Sequence, residues 1–203
     1  MKRLFPLLAI LLIGASFVRV FAETEDFAAA VSAGKVSVNF HGTGGSSGDS
    51  IEATIVATPN ASGDLVLTIA PGTRLQSGSA LSQNMVIAGV KGQMINETNY
   101  LRSSVIQVDD TNKTYVLDAY CTDFEKENPS SDTKFTLGNV DPILACILSE
   151  AANLSPQAKQ AAVWIYTEKA TFSHVKQKFK VRRSDWKAAA AIVKKCSAQK
   201  PGS

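Results

Sequence analysis

The sequence predicts an α+β fold, an antiparallel β-sandwich or barrel followed by a small helical bundle. Three observations predict it. Between residues 35 and 117, apolar and polar residues alternate in short runs, the period of a half-buried strand. Those runs are separated by clusters of Gly, Pro, Asn and Asp, the residues that tight turns require. Beyond residue 140 the punctuation changes to an N-cap followed by proline, at Asp141-Pro142 and again at Ser155-Pro156, and apolar residues then recur at helical spacing.

The first 22 residues stand apart from the fold. Lys2 and Arg3 precede an apolar run from Leu4 to Phe17, and Val20-Phe21-Ala22 supplies small or permissive residues at the minus-three and minus-one positions. This is a secretory signal peptide pattern with cleavage expected after Ala22. An extracytoplasmic or cell-surface location follows as an expectation. No integral membrane segment is expected after cleavage, because no second long apolar run exists.

Cleavage changes the charge balance. The whole chain has 21 Lys and Arg against 18 Asp and Glu; losing Lys2, Arg3 and Arg19 leaves 18 against 18. A mature chain near neutrality has no general basic field, so nucleic acid is not an expected partner. The local cluster Lys178, Lys180, Arg182 and Arg183 reads as a solvated face. About 180 mature residues suffice for one substantial core or two small ones.

In chain order, 23–34 allows either a short helix over 26–32 or a poorly ordered new N-terminus. Val36, Val38 and Phe40 alternate with polar residues and predict the first strand. The run 41–49 is glycine-rich but lacks the Gly-Lys-Ser/Thr ending of a phosphate loop, so it predicts a hairpin connection. Strands follow over 51–58, 65–69, 85–90, 104–108 and 114–117, with turns at 59–64, 70–73 and 109–113. The β-rich region thus spans 23–122 and the helical region 123–203. Helices are expected from 142 to 152, from 156 through Thr167, and from 184 to about 196. On the second, Gln160, Val163, Trp164 and Thr167 share a face, so Gln160 is expected to be at least partly buried.

Three cysteines, Cys121, Cys146 and Cys196, in an exported chain leave one without a disulfide partner. Cys146 and Cys196 both fall on helices and are the preferred pair; Cys121–Cys146 and Cys121–Cys196 remain open. A leftover Cys121 can instead attack the carboxamide of Gln160, expel ammonia and form an internal thioester. Such a bond stores acyl-transfer reactivity and needs apolar cover against water. Tyr120 and Trp164 are the candidates for that cover.

The pair Tyr120-Cys121, followed by Gln160-Ala161-Ala162-Val163-Trp164, resembles the thioester domains of bacterial surface adhesins. In that family an aromatic or leucine precedes the reactive cysteine, and a Thr-Gln-x-Ala-Ile/Val-Trp motif lies farther on. The resemblance extends over most of the mature chain, including Gly42-Thr43-Gly44, Pro71-Gly72-Thr73 and Gln83-Asn84-Met85-Val86. Lys159 stands where the family has threonine, and the interval from Cys121 to Gln160 is short. The resemblance implies covalent, single-use attachment to an amine-bearing protein or surface polymer, with no turnover and no cofactor.

Two other readings are available to the same residues. One is an exported structural or ligand-binding protein with an inert cysteine. The other is a cysteine hydrolase or transglutaminase-like enzyme, with Cys121 as nucleophile, His174 or His41 as base and Asp118 or Asp123 orienting it. No metal-ligand spacing is present.

Overall fold

A computed structural model describes residues 24–199. The expected signal peptide and the last four residues lie outside the described residues. The fold is α+β, as the patterning predicts: a six-stranded antiparallel barrel, a separate three-stranded sheet, and five helices.

The barrel strands are β2 (Val36–Gly42), β3 (Ser47–Ala57), β5 (Thr73–Ser77), β6 (Met85–Met94), β9 (Lys113–Cys121) and β10 (Lys134–Val140). They run in the order β5-β10-β2-β3-β9-β6, and pairing of β5 with β6 closes the ring. β7 (Tyr100–Arg102) hangs on the far end of β6. The small sheet comprises β1 (Thr24–Asp26), β4 (Leu65–Thr68) and β8 (Ile106–Val108), with β1 parallel to β4.

Register places the barrel core. Phe135 pairs with Phe40, Phe40 with Ala53, Ala53 with Tyr115, Ile51 with Leu117, and Ile87 with Ala119. All of these are buried. Because side chains alternate across a strand, this set lines one face, and the intervening Val116, Asp118 and Tyr120 lie on the other.

Two expectations change. Residues 70–73, expected as a turn alone, lead directly into β5. Strand β10 lies beyond residue 122, so the barrel draws a strand from the region expected to be helical. Each takes its place from its neighbours: β10 is wedged between β2 and β5. Pairing of this kind depends on context more than on local propensity.

The helices are α1 (Phe27–Ser32), α2 (Pro142–Glu150), α3 (Pro156–Thr167), α4 (Phe172–Lys178) and α5 (Arg183–Ala198). Side-chain oxygens cap the first turns of α1 to α4. Asp141 accepts from the amides of Ile143 and Leu144, and Ser155 accepts from that of Ala158. Proline follows each cap at the first helical position, where no backbone donor is needed.

The loop before β5 fits α2 only because residue 72 is glycine. Gly72 has φ +87°, and a Cβ there would lie 2.6 Å from the Ala145 nitrogen and 2.7 Å from the Asp141 oxygen. Its carbonyl accepts from the Asp141 amide. Gly72→Ala should therefore lose about 2–3 kcal/mol, from the left-handed backbone and the displaced first turn of α2. Urea denaturation checks this; an unchanged midpoint would show that the turn relaxes freely.

Candidate functional site

The site forms where β9 ends between β3 and β6. Tyr115 to Thr122 are all buried, and Cys121 pairs in register with Met85. The thiol points along the core row: Cys121 Sγ lies 3.3 Å from Met85 Sδ, and Met85 pairs in turn with Leu75. Burial pushes the Cys121 thiol well above its ordinary pKa, and the charge of Asp123 adds to the effect. The group is a protonated thiol at neutral pH.

Helix α3 brings its predicted face to this strand end. Gln160 is fully buried. Its Oε1 accepts from the Cys121 amide at 3.0 Å and its Nε2 donates to the Cys121 carbonyl at 2.7 Å. The Cys121 amide is shared with the Ser46 carbonyl, also at 3.0 Å. The carboxamide thus takes up the backbone pairing of Cys121 just where β3 begins. Two turns farther along α3, the Thr167 hydroxyl donates to the Thr122 carbonyl at 2.9 Å. The helix face therefore grips two consecutive residues of the chain leaving β9.

A second contact fixes the same register from the other side of the strand. Lys159 Nζ lies 3.3 Å from Asp118 Oδ2, both side chains 13% exposed, and the Tyr120 hydroxyl donates to Asp118 Oδ1 at 2.9 Å. The Lys159 ammonium also stands over the Tyr120 ring, 6.0 Å from its centroid. Lys159 is thereby engaged by strand β9. Burial, reinforced by Asp118, raises the Tyr120 phenol far above its usual pKa, so it remains a hydrogen-bond donor.

The cysteine arrangement is settled by geometry. Cys146 on α2 and Cys196 on α5 are bonded, with Cα atoms 5.8 Å apart, and Cys121 is free. Gln160 and Cys121 are brought together. Trp164, one turn from Gln160, packs edge-on against Phe124 and Phe179, with centroids 4.8 and 5.0 Å away. Tyr120 is buried but lies on the opposite face of β9 from the thiol. Its role is to hold Asp118 rather than to cover the sulfur. Strand alternation is the reason, since adjacent residues cannot share a face.

The histidines stand elsewhere. His41 pairs with Glu52 at 3.0 Å and His174 with Glu125 at 2.8 Å, and neither hydrogen-bonds Cys121. Asp123 accepts from the Asn84 amide and the Thr122 hydroxyl. Among the described residues, the hydrogen-bond partner of the thiol is Met85 Sδ.

Sequence reasoning missed the neighbouring cleft. It measures about 860 Å³ and its lining includes Asn84, Thr122, Asp123, Tyr166, Thr167 and Glu168. Thr122 and Thr167 connect it to the Cys121–Gln160 contact. No local signal announces it, because its walls come from β5, β10, α2 and α3 and from the residues just before β6 and just after β9. Among the described residues no helix is long and apolar enough to cross a membrane.

No protein-family description, no curated protein and no solved structure matches this chain.

Proposed function

We propose that Cys121 and Gln160 form an internal thioester and that the protein attaches covalently to amines. One observation carries this reading: the carboxamide of a fully buried glutamine is hydrogen-bonded to the backbone of the free cysteine. The Cys121 amide points at Gln160 Oε1, the oxygen on which negative charge develops when sulfur attacks the amide carbon. A backbone donor fixed at that oxygen lowers the barrier to a tetrahedral intermediate.

The atoms balance without a co-reactant. The thiol and the carboxamide give a thioester and ammonia, the thiol proton leaving with the nitrogen. An incoming primary amine then forms an amide with the Gln160 acyl group and returns the thiol. Burial of the sulfur excludes water from the stored bond. The adjacent cleft offers a path for the amine. It carries Asp123, Asp141 and Glu168 against a single guanidinium, Arg74, a balance that favours a cationic amine.

A second reading rests on the raised pKa of the thiol, which disfavours the thiolate that attacks. In it, Cys121 is an inert core residue packed on Met85. Intact mass separates the two. The thioester form is lighter by one ammonia beyond the two hydrogens of the disulfide, and methylamine adds at Gln160. Cys121→Ala abolishes both effects. An unmodified mass with a free Cys121 thiol establishes the inert reading.

A further inference from the structure

The neutrality of the mature chain conceals a division. Residues 24–168 contain 8 Lys and Arg against 16 Asp and Glu, a balance of −8; residues 169–199 contain 9 against 1, a balance of +8. The positive segment is α4, α5 and the turns around them. What reads as a short solvated cluster in the sequence belongs to a segment with a net charge of +8.

The structure also shows which of these cations are already used. Lys178 pairs with Glu125, Arg182 with Asp185, and Lys195 with Glu150. Lys176, Lys180, Arg183, Lys187 and Lys194 are exposed and have no carboxylate within 4.0 Å among the described residues. Three of them form a line. Arg183, Lys187 and Lys194 stand at i, i+4 and i+11 of α5, within about 40° of one another around the axis and about 16 Å apart end to end. Phe172 joins α4 to that line: the Arg183 guanidinium lies 4.7 Å and the Lys176 ammonium 5.9 Å from the centroid of the same ring. Two cations are thus held together on one aromatic ring.

We infer that this α4–α5 stripe binds a linear polyphosphate, a phosphate polyanion without bases. Unpaired like charges within a Debye length of one another repel, and a bound polyanion relieves that repulsion while releasing its own counterions. Arg183, with its planar fork, suits phosphate oxygens, and the lysines add point charges along the line. The described large apolar side chains that are well exposed are Leu81, Ile95, Leu101 and Val140, none of them on α4 or α5. The stripe therefore has no apolar wedge to enter a bilayer, which favours a polymer over a membrane surface. The acidic remainder of the protein repels the same polymer and confines it to this face. The inference does not depend on the thioester.

The test uses the mature chain carrying Cys121→Ala, so that no covalent chemistry contributes, and long-chain inorganic polyphosphate as the probe. Four contacts on a flexible polymer, from Lys176, Arg183, Lys187 and Lys194, predict a slope of about −2.8 in log K against log salt, an affinity loss on the order of 50-fold between 50 and 200 mM. Lys187→Gln with Lys194→Gln should reduce the slope magnitude by about 1.4. These exposed mid-helix positions accept glutamine, a good helix former. As a second variant, Lys113→Gln with Lys134→Gln, on the barrel, should leave the slope unchanged. Absence of binding at 50 mM salt, equal loss in both variants, or binding to phosphatidylglycerol vesicles without binding to polyphosphate would each overturn the proposal. So would a DNA oligonucleotide that binds more tightly than polyphosphate at equal phosphate concentration.

Discussion

Gln160→Glu, made in a Cys121→Ala background, should destabilise the protein by about 3–4 kcal/mol at pH 7 and by less than about 1 kcal/mol near pH 5. The background removes the sulfur, so no thioester contributes, yet it keeps the backbone groups that Gln160 contacts. Gln160 is fully buried and donates to the Cys121 carbonyl at 2.7 Å. An ionised glutamate of the same shape has no proton to donate and sets one lone pair against another. A protonated glutamate restores the donor. The buried acid therefore holds its proton in the folded state, with a pKa raised above the unfolded value of about 4.3.

The sign of the pH effect follows. Above pH 4.3 the folded state binds more protons than the unfolded state, so stability falls as pH rises. The penalty grows by about 1.4 kcal/mol per pH unit and is limited at each pH by the cost of taking up that proton, which gives the values above. Urea denaturation of the two proteins at pH 5 and pH 7 measures it. A difference that does not vary with pH would mean that the carboxylate finds water or a cation at this site.

Removing the Cys146–Cys196 bond, by Cys146→Ala with Cys196→Ala, should cost about 4 kcal/mol. The bond closes a loop with a sequence separation of 50. A cross-link of that span restricts the unfolded chain by roughly this amount. For a chain of this size, the midpoint of thermal unfolding should fall on the order of 10 °C. The bond joins α2 to α5, and α5 packs on α3, which carries Gln160. The same variant should therefore loosen the grip of α3 on β9 and let methylamine reach the Gln160 acyl group sooner. A midpoint within a degree of the parent would show that helix packing alone holds this end together.

The fold was most legible where the signal is local. Strands with clean alternation, such as those around Val36-Ser37-Val38 and Ile51 to Ala57, stand close to where the pattern puts them. The Asp141-Pro142 and Ser155-Pro156 starts fall on their helices. Less legible were β5 and β10, strands held in place by the neighbours that pair with them, and α4, a helix of two turns between two loops. The pairing of Gln160 with the end of β9 was anticipated from residue types and helical face. The hydrogen bonds to the Cys121 backbone were not, because no sequence pattern specifies which atoms a buried amide will meet.

By itself the sequence determined which groups need partners: a leftover thiol, an amide on an apolar helix face, two helical cysteines, and a run of basic residues. Those needs arise from side-chain chemistry and periodicity, which are properties of the chain alone. Tertiary structure decided how they are met. It set Tyr120 on the far face of β9, engaged Lys159 with Asp118, and aligned cations from two helices along one stripe. Such outcomes depend on register and packing between segments distant in sequence, and a distance in space is not encoded at any single position.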